Sequence, residues 1–280
     1  MELGYSPCPN DCFIFYALAH QRVAPELGVT VRLEDVETLN QLARAGTLGV
    51  TKASYHAYFH LTHDYVMLRS GGALGFGVGP LIVSKRPLKT LSGCEVAIPG
   101  GLTTANLLLK LSQPGDLELT ELRYDAIMPA VAAGDADAGL IIHESRFTFP
   151  EYGLVEYLDL GAWWEAETGL PLPLGGIMAR RSLGGLTELD DAIRESLRYA
   201  YAHRAEAQPY VAAHAQELSE KVTQQHIDLY VNELSLDVGD AGERAVQELY
   251  ARAHARGLVP AAHRPLFAPR SGVPASPVRG

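Results

Sequence analysis

Short apolar runs alternate with helix-like patterns along the chain, and this alternation predicts an α/β protein. Asn10 or Asp11 is expected to cap the first helix. The predicted strands are 3–5, 29–33, 48–54, 65–69, 80–84, 95–98, 117–123, 138–142 and 153–160. The predicted helices are 12–20, 37–45, 103–111, 125–133, 187–206, 218–232 and 239–256.

One phrase occurs twice, at residues 42–54 and 131–143. In each copy a helix ends at a glycine, a small polar turn follows, and a short apolar strand ends in polar residues. Glycine just past a helix adopts left-handed dihedral angles without strain. Ligands of open α/β sheets bind beyond the carboxyl ends of the strands. The repeat predicts two lobes facing one cleft, with Lys52 and Ser54 on one wall and His143 on the other.

Two glycine- and proline-rich segments indicate where the chain crosses between the lobes. Residues 71–79 are expected to form a hinge rather than a packed element, and residues 171–176 suit the return crossing; the crossings are placed near 75–85 and 171–180. We therefore predict a discontinuous large lobe, 1–80 and 176–280, and an inserted small lobe, 81–175. The sheets are expected to be mainly parallel with antiparallel crossing strands, as in hinge-bending binding folds. The proline-rich stretch 264–280 is expected to be an irregular or mobile end.

Composition narrows the class of partner. The 280-residue chain is 47% hydrophobic and carries a formal net charge of −10, so neither nucleic acid nor an anionic membrane surface is expected as its main partner. The start of the chain lacks a secretory pattern, and no apolar window is long enough to span a bilayer. Three cysteines fit a reducing compartment. These features predict a cytoplasmic protein.

His143 is the strongest candidate for chemistry. It follows the apolar run 138–142, and an imidazole can act as a general base near neutral pH. Glu144 is placed to orient the ring. The alternative is a histidine whose hydrogen bonds are satisfied by backbone at a helix cap. A zinc-protease motif is excluded, because Phe147 stands where the second histidine would be.

The turn before Thr103 and Thr104 is the candidate anion site. Gly100 and Gly101 let backbone approach a ligand, and the free amides that open a helix favour a carboxylate. The alternative is simple capping of that helix by a threonine.

Lys52 and Ser54 share one side of a strand. Lys52 could place its charge beside a substrate carboxylate or pair with a nearby acid. Ser54 could touch the ligand or cap the next helix.

Two groups of residues have side chains that can bind metals, but neither is expected to form a metal site. His56, His60 and His63 have helical spacing but no completing carboxylate or cysteine, and they are expected to be partly exposed. Cys8 and Cys12 have no second pair. No metal is therefore expected.

The motifs together resemble those of the 1,4-dihydroxy-6-naphthoate synthase family, over nearly the whole chain except the proline-rich end. The residues that carry the resemblance are 6–15, 51–55, 69–75, 103–105, 139–147, 159–164 and 235–239.

The resemblance implies a two-lobed, periplasmic-binding-protein-like fold of type II, used as a cytosolic enzyme with no cofactor. It implies conversion of cyclic dehypoxanthine futalosine to 1,4-dihydroxy-6-naphthoate and dihydroxyacetone, a lyase step in menaquinone biosynthesis. The substrate is a small carboxylate, and the general base falls on His143. The oligomeric state is left open. The implied substrate contacts are Lys52, Ala53, Ser54, Thr103 and Thr104.

Cys12 departs from the resemblance, since threonine is usual at this place in the family. Two other functions compete with the naphthoate synthase. One is chorismate dehydration, by an enzyme of the same pathway and general fold. The other is capture of an organic anion by a solute-binding protein without chemistry.

Overall fold

The computed structural model describes residues 1–215 and 219–270. Two mixed β-sheets organise this part of the chain. The strands are β1 (Glu2–Tyr5), β2 (Thr30–Leu33), β3 (Val50–Ser54), β4 (Tyr65–Met67), β5 (Ala73–Gly75), β6 (Leu81–Ser84), β7 (Glu95–Ile98), β8 (Glu118–Glu121), β9 (Ala138–Ile141), β10 (Val155–Asp159) and β11 (Leu172–Arg180). The first sheet has the order β2-β1-β3-β11-β4, with β5 also paired to β11. The second has the order β10-β6-β9-β7-β8.

The helices surround these sheets. They are α1 (Pro9–Ala19), α2 (Val36–Arg44), α3 (Tyr55–Phe59), α4 (Thr104–Ser112), α5 (Tyr124–Ala133), α6 (Ser145–Thr148), α7 (Leu160–Thr168), α8 (Leu186–Ala202), α9 (Arg204–His214), α10 (Glu220–Tyr230), α11 (Glu233–Leu236) and α12 (Gly239–Ala255). Short 3-10 turns lie at Pro25–Leu27 and Phe149–Tyr152. Among the helices within 1–215 and 219–270, none combines the length and the apolar character that crossing a membrane requires.

The repeated phrase forms the same structure twice, as predicted. Helix α2 is followed by Gly46 at φ +70° and then by β3. Helix α5 is followed by Gly134 at φ +91° and then by β9. Both glycines lie in the left-handed region, where a side chain would be strained. The two copies therefore lie in different sheets, β3 in the first and β9 in the second.

The pairing of the strands is less parallel than predicted. β1 pairs with β2 and β3, and β7 with β8 and β9, in parallel. The strands that enter or return at the crossings, β4, β5, β6, β10 and β11, all pair antiparallel. Five of the nine strand pairings within 1–215 and 219–270 are therefore antiparallel, rather than a minor part.

Both predicted crossing segments contain more regular structure than expected. Residues 73–75 of the glycine-rich segment form β5, which is buried and paired with β11. The segment 171–176 opens β11, in which Pro173 faces Leu74 beside a register shift. Proline cannot donate to a ladder and is tolerated at such an irregularity. Strand β11 also spans residue 176, where the predicted large lobe resumes.

The helix predicted at 187–206 is two helices. His203 leaves the helical region, with φ −129° and ψ 45°, and separates α8 from α9. The break lets both helices pack on α1, which is buried along nearly its whole length. A helix that is apolar on all sides belongs in a core. The helix predicted at 218–232 corresponds to α10, Glu220–Tyr230. Residue 218 lies outside the described residues.

The start of the C-terminal stretch is packed, contrary to expectation. Phe267 forms a bridge with Met67 of β4 and is buried, as is Ala268. The Tyr58 hydroxyl donates to the Leu266 carbonyl. The stretch thus covers the open edge of β4, which would otherwise leave backbone groups unpaired. Residues 271–280 of the predicted mobile end lie outside the described residues.

Candidate active site

A cavity of about 90 Å³ lies between the two sheets. It is lined from the first sheet and its helices as well as from the second sheet. All six residues predicted from the sequence line it, namely Lys52, Ala53, Ser54, Thr103, Thr104 and His143.

His143 follows β9 in a strained conformation. Its φ is +58°, in the left-handed region that residues other than glycine seldom adopt. Such strain of about 1–3 kcal/mol persists where surrounding structure enforces it, often at functional sites. The Nδ1 atom lies 3.4 Å from the Cys8 sulfur. The rings of Tyr124 and His143 meet edge-to-face, with 5.1 Å between their centroids.

The protonation state of His143 suits a base. Burial is the main cause that lowers the pKa of this imidazole to about 4; Lys52 also lowers it, and Asp11 opposes the change. At neutral pH the ring is therefore uncharged and has a lone pair that can accept a proton, although the lowered pKa makes it a weaker base than an ordinary histidine. The side chain keeps partial exposure to the cavity.

Asp11 forms the centre of a buried polar network, a role that sequence reasoning missed. It lies inside the first turn of α1, which begins at Pro9, so it does not cap the helix as expected. Proline at the first helical position needs no hydrogen-bonding partner for its nitrogen. The Asp11 carboxylate accepts from the Ser6 hydroxyl, the Asn10 amide and the Lys52 ammonium, each at 2.8 Å.

Lys52 is paired within the protein. Its ammonium also donates to the Gly71 carbonyl at 2.9 Å, and the side chain is buried. Of the two roles left open by the sequence, the geometry provides pairing with an acid. The charge that reaches the cavity at this wall is therefore largely neutralised by Asp11.

Ser54 is held by Asn40, a buried residue that sequence reasoning did not single out. Asn40 donates to the Ser54 hydroxyl at 3.1 Å and accepts from the Ser54 backbone amide at 3.0 Å. Ser54 stands at the start of α3, but its side chain makes no capping hydrogen bond. The hydroxyl therefore belongs to the cavity wall rather than to the helix end.

Thr103 and Thr104 have protein partners at the start of α4. The Thr103 hydroxyl accepts a hydrogen bond from the Asn106 backbone amide at 3.2 Å, so Thr103 caps the helix, which is the alternative considered above. Thr104 donates to the Leu174 carbonyl at 2.5 Å. The space beside Gly100, at φ +146°, is occupied by the side chain of Glu37 rather than left for a ligand. Burial raises the pKa of this Glu37 carboxyl.

His226 of α10 is a second imidazole in the cavity wall, and it was not predicted. Its ring stacks on that of His143 at 6.3 Å between centroids. The Nε2–H donates to the Asn10 side-chain oxygen at 2.8 Å, while Nδ1 lies 4.0 Å from the Glu144 carboxylate. Burial lowers the pKa of His226 well below its ordinary value. Glu144 thus faces His226, whereas the sequence suggested that it orients His143.

The three spaced histidines differ from expectation in one respect. His56 is buried and contacts the Thr103 carbonyl at 3.2 Å, while His60 and His63 are exposed. Across residues 1–215 and 219–270, no group of three or more histidine, cysteine or acidic side chains is arranged to hold a metal ion.

Comparison with known families gives a match along most of the chain. The family model described as "Menaquinone biosynthesis" matches residues 1–255. A protein of Thermus thermophilus is 59% identical over 269 residues, which cover 95% of this chain and 98% of that protein. A protein of Streptomyces coelicolor is 47% identical over 270 residues, covering 93% and 95%. Both relatives are named 1,4-dihydroxy-6-naphthoate synthase.

Solved structures show the same architecture. Protein AF1704 of Archaeoglobus fulgidus superposes with a TM-score of 0.87 at 37% identity, over 92% of this chain and 98% of that one. The periplasmic aliphatic sulphonate binding protein SsuA of Escherichia coli gives a TM-score of 0.67 at 14% identity, over 100% and 95%. The predicted periplasmic-binding-protein-like fold is thereby confirmed.

Proposed function

Because the chain belongs to the menaquinone biosynthesis family, with 1,4-dihydroxy-6-naphthoate synthases as relatives, we propose that it acts on cyclic dehypoxanthine futalosine. The products are 1,4-dihydroxy-6-naphthoate and dihydroxyacetone. His143 is the general base. The observation that carries this role is a neutral imidazole held on strained backbone at the wall of the cavity.

The reaction begins with removal of a proton from a substrate hydroxyl by His143. The oxygen's electron pair then forms a carbonyl as the adjacent carbon–carbon bond breaks, the electron pair of that bond passes to the ring fragment, and His143 returns its proton there. The ring fragment gains aromatic character, so much of the driving force lies in the substrate.

Neutral donors hold the substrate in this proposal. The start of α4 offers backbone amides to the carboxylate, beside Thr103 and Thr104. Ser54, fixed by Asn40, and the backbone of Ala53 contact the hydroxyls. Lys52 acts mainly through its pair with Asp11, which keeps the cavity wall polar but nearly uncharged.

The lobes 1–80 with 176–280 and 81–175 close over the substrate and exclude water. The positions of the two sheets support this division, with β11 extending across its second boundary. Free Cys8, Cys12 and Cys94 support placement in the reducing cytoplasm. Solution scattering with and without product tests closure, and an unchanged radius of gyration would contradict it.

Substitution of the base tests the reaction. We expect His143→Ala to lower turnover of cyclic dehypoxanthine futalosine by about 100-fold or more. Substrate binding, measured by calorimetry, should remain within about tenfold, or about 1.4 kcal/mol. His63→Ala changes an exposed histidine outside the cavity and should retain full activity. Full activity of the His143 variant would remove it from this role.

Product analysis by mass spectrometry tests the substrate. The protein is incubated separately with cyclic dehypoxanthine futalosine and with chorismate. We expect 1,4-dihydroxy-6-naphthoate from the first and no change of the second. Turnover of chorismate alone would refute the proposed reaction, and binding without turnover of either would favour a solute-binding role.

A further inference from the structure

The ring of His143 has a partner that belongs to the opposite wall of the cleft. Cys8 immediately precedes α1, which packs on the first sheet, whereas His143 follows β9 of the second sheet. The Cys8 side chain is buried, and its sulfur lies 3.4 Å from the histidine Nδ1. This distance is within hydrogen-bond range for sulfur. The contact therefore joins the two sides of the cavity at the candidate base.

A neutral imidazole has one nitrogen that donates and one that accepts. The hydrogen bond made at one nitrogen determines whether the other nitrogen carries a hydrogen. With Cys8 at Nδ1, Nε2 is the nitrogen of His143 left for a ligand. A base requires a lone pair there, and the ring hydrogen must then reside on Nδ1.

We propose that Cys8 is a positioning residue for His143, whose sulfur accepts the Nδ1 hydrogen and leaves the Nε2 lone pair for the substrate hydroxyl. This inference rests on the proposed role of His143 as the base. The neighbouring rings do not substitute for the thiol, since Tyr124 meets His143 edge-to-face and His226 stacks on it, and neither arrangement provides a hydrogen-bond acceptor for Nδ1.

The chemistry of the thiol fits this task. Burial, together with the nearby carboxylates of Glu144 and Asp11, raises the pKa of Cys8 well above its ordinary value. The sulfur is therefore an uncharged, weak acceptor. It orients the ring without the strong stabilisation of an imidazolium that a carboxylate would provide, so the proton taken from substrate is readily returned.

The position of Cys8 also links the base to closure of the cleft. The histidine side chain is supplied from one wall and its orienting sulfur from the other. Separation of the walls would release the ring, and their approach aligns it.

Nitrogen-15 NMR of the histidine side chains in the wild-type protein tests the hydrogen placement directly. The His143 signals are assigned by their loss in His143→Ala. We expect the shift of a protonated nitrogen at Nδ1 and of an unprotonated nitrogen at Nε2. The reverse pattern, with the thiol donating to Nδ1, would overturn the proposal. This readout needs no turnover, so absence of activity on cyclic dehypoxanthine futalosine would count against the proposed function alone.

Variants of the thiol provide the kinetic test. Cys8→Ala should lower kcat at least tenfold with KM within about threefold, because the base is misoriented while substrate contacts remain. Cys8→Ser keeps an acceptor and should recover part of the loss. Cys12→Ser makes the same change at a buried thiol one helical turn later, outside the cavity, and serves as control. Wild-type kcat in Cys8→Ala, or an equal loss in both serine variants, would contradict the positioning role.

Discussion

The buried pair between Lys52 and Asp11 provides the sharpest quantitative prediction. The ammonium nitrogen lies 2.8 Å from the carboxylate oxygen, and the two side chains are only 7% and 2% exposed. Their gross attraction is about 6 kcal/mol at an effective dielectric constant of about 20, before desolvation is subtracted. Removing one member of such a pair costs about 3–5 kcal/mol, because the remaining charge stays buried.

Lys52→Met should therefore lower the free energy of unfolding by about 3 kcal/mol at pH 7. The lower end of the range is expected because Asp11 keeps hydrogen bonds from Ser6 and Asn10. Urea unfolding of this variant, of Asp11→Asn and of the double variant gives a double-mutant cycle. We expect a coupling energy of about 2 kcal/mol.

An exposed ion pair supplies the control. Arg32 and Glu34 are about one-third exposed, so Arg32→Met should cost less than about 1 kcal/mol. A cost below 1 kcal/mol for Lys52→Met, or no coupling to Asp11, would refute the reasoning. Lys52 would then be free to serve a substrate carboxylate.

Three further predictions concern other parts of the fold. Phe267→Ala should lower the free energy of unfolding by about 3 kcal/mol in urea; a loss below 1 kcal/mol would mean that the C-terminal stretch does not cover β4. Burial lowers the pKa of His56 to about 4, so the unfolded chain binds its proton first as the pH falls below 6.5. This titration should lower the free energy of unfolding by about 3 kcal/mol between neutral pH and pH 4. In urea unfolding, the free energy of His56→Gln should fall less steeply with pH than that of the wild type, and an equal fall would contradict this. Gly79→Ala should lower the melting temperature and turnover, because its Cβ would lie 2.1 Å from the Gly161 nitrogen, whereas Gly49→Ala has open space and should be neutral. Equal effects of the two glycine variants would exclude the close approach.

The site was predictable where local signals were strong. Gly46 and Gly134 follow helices in the left-handed region, and the polar residues that close β3 or follow β9 line one cavity. Local backbone preferences do not depend on distant contacts, which is why this repeat could be recognised. Lys52, Ser54 and His143 followed from it.

The network behind those residues was not predictable in the same way. Asn10 and His226 are 216 positions apart in the chain, yet they share a hydrogen bond of 2.8 Å. The local pattern of α10 does not specify that it packs against the start of α1. Asp11 was expected to be a helix cap for a related reason, since the Lys52 ammonium, 41 positions along the chain, reaches it only in the folded protein.

The order of helices and strands, the left-handed turns and the polar ends of the strands follow from the amino-acid sequence, because short-range sterics and hydrophobic periodicity decide them. The pairing of β11, the covering of β4 by Phe267, the neutralisation of Lys52 and the approach of Cys8 to His143 are decided by tertiary packing. Each joins distant segments, and burial then requires every polar group to find a partner. His143, which we propose as the base, could therefore be singled out from the sequence, whereas the residues that contact it could not.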